Sequence, residues 1–180
     1  MKWLIASDIH GSAKYTAELL ECFEREKADR MLLLGDTLYH GPRNPLPDGH
    51  APMEVAALLN RYADRIYGVR GNCDAEIDQV MLNFPILSDS LLLPVGERLC
   101  FVTHGHLFDE EHMPPLHRGD LFLYGHIHVP RLKEVNGVTF LNPGSVSLPK
   151  EDSERGYMTL TDTHFVWRTL AGREFMTFDA

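Results

Sequence analysis

The chain has 180 residues, 44% of them hydrophobic and 24% charged, a composition that supports a packed core and excludes a disordered or low-complexity protein. Its 17 Lys and Arg against 26 Asp and Glu leave a formal charge of −9, which argues against a nucleic-acid binder working through a broad basic face. Cys22, Cys73 and Cys100 form no CxxC pair and suggest no disulfide framework. No apolar run approaches the ~18 residues of a membrane span, and Asp8 and His10 interrupt the first apolar segment too early for a signal peptide. The expectation is one domain over residues 1–180, cytoplasmic, with neither membrane nor nucleic acid as partner.

Residues 2–7 read as a first strand, and Ser12 as an N-cap before a helix over 13–27. That helix places Ala13, Ala17, Leu20, Phe23 and Ala28 at roughly helical spacing. Residues 30–34 are apolar without alternation after Arg30, as expected for a strand covered on both faces. Strand, helix and strand in this compass make a βαβ unit. The stretch 37–52 carries Gly41, Pro42, Pro45, Pro47, Gly49 and Pro52 and is long for a connection, which suits a functional loop. A helix over 53–62 follows, with Met53, Ala56, Ala57, Leu58 and Leu59 on its apolar side, then a strand over 65–69 and a helical segment over 75–83. The second half reads as strands: 88–95 and 98–103 about Gly96-Glu97, then 120–124. Next come 132–135 and 138–141 about Asn136-Gly137, a strong hairpin signal. The last are 157–160, 164–170 and 174–178. Together these predict an α/β fold of two packed sheets flanked by helices.

Five apolar strands run directly into polar side chains. They end at Asp8 and His10, at Gly35-Asp36, at Gly71-Asn72-Cys73-Asp74, at His104-Gly105-His106 and at Gly125-His126-Ile127-His128. Each alone is weak, because Asp and Asn follow strands as ordinary turn formers. Their conjunction is specific, since the carboxyl ends of strands in α/β sheets are where ligands bind. Oxygen donors from Asp8, Asp36 and Asn72 with imidazoles from His10, His104, His126 and His128 suit Mn, Fe or Zn. If Asp36 bridges two ions, one takes Asp8, His10, Asp36 and His128, and the other Asp36, Asn72, His104 and His126. Two divalent ions against two carboxylates leave a net positive site that can activate water and attract a phosphate.

In this order the motifs resemble the calcineurin-like metallophosphoesterases, and Asn142-Pro143-Gly144-Ser145 resembles their small bacterial and archaeal branch. Gly41-Pro42-Arg43-Asn44 and Gly71-Asn72-Cys73-Asp74 look similar to the YfcE-type phosphodiesterases within it. The resemblance covers roughly residues 1 to 170. It implies a four-layer αββα sandwich of two mixed sheets and the same ligand partition, in a dinuclear centre preferring Mn over Zn, Fe, Ni or Mg. It also implies hydrolysis of small phosphodiesters by a metal-bridging hydroxide, and a homo-oligomer, dimer or tetramer. One residue departs from the family pattern. Most of the superfamily has His at position 73, oriented by the acidic residue that follows, as the leaving-group acid. Cys73, followed by Asp74, is a poorer proton donor, so the enzyme is expected to lean on its metals and favour good leaving groups. Arg43 is a candidate clamp for a phosphate oxygen. His106 could touch substrate or orient a ligand, and Asn142 and Ser145 could shape the loop behind the site or bond an imidazole. Arg70 is read as a cation lying behind the site or as a surface ion-pair partner, and His40, His50, His112, His117 and His164 as surface histidines. The rival readings are a non-catalytic interaction scaffold on this fold and a nuclease of the superfamily.

Overall fold

A computed structural model describes residues 1–180. In chain order the elements are β1 (Lys2–Ala6), α1 (Ala13–Arg25), β2 (Arg30–Leu33), α2 (Pro52–Asn60), β3 (Ile66–Gly68), α3 (Glu76–Met81), β4 (Ser90–Val95), β5 (Arg98–Thr103), β6 (Leu121–Leu123), β7 (Pro130–Val135), β8 (Val138–Pro143), β9 (Gly156–Thr161), β10 (His164–Thr169) and β11 (Glu174–Asp179). Both sheets are mixed. The first is ordered β11-β10-β9-β1-β2-β3, with β1, β2 and β3 parallel. The second is ordered β4-β5-β6-β8-β7, with β5, β6 and β8 parallel.

The unbroken apolar runs follow from burial on both faces. Leu4, Ala6, Met31 and Leu33 point toward the helices, against Leu19, Phe23, Val55 and Leu59. Their neighbours Ile5 and Leu32 point the other way, into a core shared with Val102, Leu121, Leu123, Leu141 and Trp167 between the sheets. Each fully buried Leu or Phe stabilises the fold by ~1.5–3 kcal/mol, so both sheet faces hold β1 and β2 in one register. The outer face of the second sheet buries Phe101, Phe122 and Phe140 beneath Phe108, Met113 and Leu116. That outermost layer is the irregular chain between β5 and β6, while the helices flank the first sheet.

Ser12 caps α1, its hydroxyl accepting from the Tyr15 amide at 3.3 Å. The buried face of α1 runs through Tyr15, Leu19, Leu20, Cys22 and Phe23, leaving Ala17 exposed. In α2 the buried side chains are Val55, Ala56 and Leu59, whereas Met53 and Ala57 face solvent. The apolar stripe is rotated from the expected one because Met53 and Ala57, four residues apart, share the ridge opposite Val55 and Leu59.

The parallel strands β1, β2, β3, β5 and β6 end at Ala6, Leu33, Gly68, Thr103 and Leu123. Each expected site motif therefore begins within a few residues of such an end. No helix is long and apolar enough to cross a membrane.

Candidate metal centre

Three imidazoles converge through the same atom. The Nδ1 groups of His10, His104 and His128 are held by the backbone carbonyls of Tyr39, Leu34 and Leu148 at 2.9, 2.6 and 2.6 Å. A carbonyl accepts only from N–H, so these contacts put a proton on Nδ1 and turn Nε2 inward, the atom left to bind a cation once it carries no proton. His10 Nε2 and His128 Nε2 lie 3.2 Å apart. Asp8 Oδ1 lies 3.6 Å from the first and 3.2 Å from the second. His104 Nε2 lies 3.1 Å from Asn72 Oδ1 and 3.2 Å from His126 Nδ1, so His126 alone presents its δ nitrogen. Asp36 Oδ2 stands between the two groups, 3.6 Å from His10 Nε2 and 3.4 Å from His104 Nε2.

The site is built against ordinary backbone preference. Asp8, His10, Asp36, His126 and His128 have φ of 57°, 50°, 54°, 66° and 62°, a region L residues visit rarely and at ~1–3 kcal/mol each when strained. Neighbours hold them there. Ser145 Oγ and Ser147 Oγ donate to the Asp8 carbonyl at 2.8 and 3.1 Å, and Asp8 Oδ2 accepts from Ser7 Oγ and the His126 amide at 2.6 and 3.0 Å. A side chain on Gly71 would collide with the Asp36 carboxylate, and one on Gly125 with Ser7 Oγ. These contacts are the physical reason for glycine in the Gly-Asn and Gly-His motifs.

Asp8 Oδ1 is buried and accepts no hydrogen bond. A buried carboxylate oxygen without a donor is costly, and here it faces the Nε2 atoms of His10 and His128. Nitrogen and oxygen donors arranged in this way fit divalent cations, which would satisfy the orphaned oxygen and neutralise the crowded lone pairs. Asp8, His10 and His128 would hold one ion, and His104, Asn72 and His126 a second, with Asp36 between them.

The protein's own groups already polarise the site. Burial works against charge on Asp8, but the imidazoles of His10, His128 and His104 around it outweigh that and hold its carboxyl well below the usual carboxylate range. Burial likewise opposes the charged form of His104, yet Asp36 and Asp8 raise it to about 9. His126 is pushed down to about 4, first by burial and then by His104.

Asp74 does not orient a side chain at position 73. Its Oδ2 accepts from the Asp36 and Gly71 amides, both at 2.8 Å, and its Oδ1 from the Thr37 amide at 2.9 Å. In the structure the residue expected among the catalytic groups is a buried clamp that ties the Asp36 turn to the Gly71 turn. Cys73 does reach the site, its Sγ within 4.8 Å of donor atoms of His10 and Asp36. Burial, then the Asp36 charge, push its thiol up to about 12.

Arg43 is exposed on the wall of a cavity of about 900 Å³ that opens over Asp36, Asn72, Cys73, His126 and His128. Lys150, which no sequence motif marks, lines the same cavity. Arg70 makes a surface ion pair with Glu76 at 3.4 Å. His106 packs edge-on to His104, lies near His126, and is not part of the cavity wall. His40 and His50 are partly buried and pack edge-on at 5.4 Å rather than lying on the surface, because the proline-rich loop folds back over Gly11. Asn142 shapes the loop behind the site, donating to the Gly125 carbonyl at 2.7 Å and accepting from the Gly144 amide at 2.9 Å.

The model of the calcineurin-like phosphoesterase superfamily domain matches residues 1–164. The chain belongs to this family. It is similar to phosphodiesterase YfcE of Escherichia coli strain K12, 45% identical over 157 residues that cover 87% of this chain and 85% of that protein. The solved structure of E. coli YfcE, described as a phosphoesterase, superposes with a TM-score of 0.95 at 40% identity over 99% of both chains. Vps29 of Entamoeba histolytica, solved in complex with zinc, shares the phosphoesterase fold with a TM-score of 0.64 at 21% identity over 99% of both chains.

Proposed function

We propose that the chain is a phosphodiesterase that hydrolyses small phosphodiesters with two divalent ions held by Asp8, His10, Asp36, Asn72, His104, His126 and His128. The observation that carries this reading is the unpartnered, buried Asp8 Oδ1 facing the Nε2 atoms of His10 and His128. When bound, such ions supply Lewis acidity, lowering the pKa of water and drawing charge from phosphoryl oxygens. Asp36 is the residue shared by both ions in this reading, and Mn is the expected metal.

The chain's own groups do the rest. The Tyr39, Leu34 and Leu148 carbonyls hold three imidazoles in the tautomer that offers a lone pair to the centre. Asp74 fixes the Asp36 and Gly71 turns so that their side chains keep their spacing. Arg43 stands on the cavity wall, where a guanidinium can hold two oxygens of a phosphoryl group at once. Cys73 stands where a leaving-group acid would act but holds its proton too tightly to be a strong donor at neutral pH. Substrates with good leaving groups are therefore expected to turn over best. The cavity volume falls in the range of small-molecule sites, and with the net charge of −9 it favours a small diester over a polynucleotide.

An interaction scaffold needs no donor set of this completeness, and no other observation favours it. The test is a panel of chromogenic phosphomonoesters and phosphodiesters assayed with Mn, Zn, Mg and Ni. Metal-dependent turnover with diesters preferred is expected; absence of turnover with every ion would overturn the reading.

A further inference from the structure

We infer that Lys150 is a second anion-binding residue, so that the substrate carries a negatively charged group beyond the scissile phosphate. This rests on the phosphoesterase reading of the same cavity. Although the chain's formal charge is −9, Asp36 is the only carboxylate lining that cavity, where Arg43 and Lys150 are the two permanent cations. Asp36 is committed to the metal centre and cannot neutralise them. Neither Arg43 nor Lys150 forms an ion pair within the chain, in contrast to Lys2, Lys14, Arg65 and Lys133. Glu151 and Asp152 follow Lys150 directly, yet neither lines the cavity.

The backbone of Lys150 is tied to the metal centre on both sides of one ligand. Its amide donates to the His128 carbonyl at 3.1 Å, and His128 Nδ1 donates to the Leu148 carbonyl at 2.6 Å. The Lys150 carbonyl accepts from the Ser153 amide and hydroxyl at 3.1 and 2.6 Å. A flexible side chain on a fixed root suits a point-charge contact with an anion of variable reach.

Charge bookkeeping points the same way. Two divalent ions, Asp8 and Asp36 leave the centre at +2, and Arg43 with Lys150 would raise the whole cavity to +4. A phosphodiester brings a single negative charge. A carboxylate or phosphate on its non-scissile arm would match the surplus at Lys150.

The test uses an isosteric set of substrates: the p-nitrophenyl phosphodiesters of butanol, 4-hydroxybutanoate and 3-hydroxypropylphosphonate. With the Mn-loaded protein, KM for the charged esters is expected to lie about tenfold below that of the butyl ester, the worth of one charge-assisted hydrogen bond. Lys150→Gln should bring that ratio close to one, and Lys150→Arg should restore most of it. Comparison of the carboxylate and phosphonate arms identifies the anion preferred. Equal KM values in the wild-type protein, or a ratio that survives Lys150→Gln, would overturn the inference. Calorimetric binding of the matching non-hydrolysable phosphonates reads the same ratio without turnover. A ratio seen in binding without hydrolysis of any ester would leave Lys150 its role and remove the phosphodiesterase reading instead.

Discussion

Replacing Asp36 with Asn is the sharpest single perturbation of the centre. Asp36 Oδ2 lies 3.6 Å from His10 Nε2 and 3.4 Å from His104 Nε2, while Oδ1 accepts the Cys73 amide at 2.8 Å. Asparagine keeps this shape and can keep the Cys73 contact through its carbonyl, so the change isolates one negative charge. A unit charge pair at 4 Å is worth ~4 kcal/mol at an effective dielectric near 20. A dication doubles that figure, and desolvation together with the amide dipole return part of it. A net loss of ~4 kcal/mol corresponds to a fall of ~10³-fold in kcat/KM. The same charge should govern stability. At a metal concentration of ~1,000 Kd each bound ion stabilises the fold by about 4.1 kcal/mol, or ~8–16 °C in Tm for a chain of this size. Asp36→Asn should forfeit most of the Mn-induced rise in Tm, while the chelated variant melts within a few degrees of chelated wild type. Calorimetric scans with Mn and with EDTA, paired with turnover of a chromogenic diester, read both effects. A variant that kept the full Mn-induced stabilisation and wild-type turnover would refute the shared role of Asp36.

Three further outcomes follow from the geometry. Cys73→His should raise turnover of a poor-leaving-group diester, with ~10²-fold as the lower end of general acid catalysis; no rise in kcat would show that a missing acid is not limiting. Asp74→Ala removes the acceptor for three buried amides and should cost about 3–5 kcal/mol in urea denaturation, whereas a loss below ~1 kcal/mol would contradict its clamping role. His104 is raised from 6.5 to about 9 by Asp36 and Asp8 acting against burial. Its contribution to the chelated protein's stability is therefore complete below 6.5 and lost as pH rises through about 9. Metal affinity should run the opposite way, rising with pH as that proton becomes easier to displace. Melting scans with EDTA and Mn titrations from pH 6 to 10 should show these opposed trends, and parallel trends would rule the assignment out.

Much of the fold was legible because β1 and β2 are buried on both faces. An unalternating run such as Met31-Leu32-Leu33-Leu34, too short for a buried helix, suits a strand with a core on each side. The seven candidate donors could be picked out because each follows a strand end, and the structure brings those strand ends together at one edge. What escaped the sequence was tertiary in origin. Ala17 falls off the buried stripe of α1 because the helix packs through Tyr15, Leu19, Leu20 and Phe23. Asp74 reads as a side chain beside Cys73, and only the return of the Asp36 turn across the sheet reveals the three amides it serves. His40 and His50 look polar and loop-borne, yet the loop closes over Gly11 and pairs their rings. Lys150 belongs to none of the motifs and reaches the cavity because residues 148–150 bracket His128.

The proposed function depends on seven residues holding two divalent ions that drive phosphodiester hydrolysis. The metal content of protein reconstituted with Mn, measured by mass spectrometry alongside turnover before and after chelation, decides the matter. Two ions per chain are expected, with turnover lost on chelation and restored by Mn. Protein that retained no metal, or that turned over the diester fully in the presence of chelator, would contradict the two-metal mechanism.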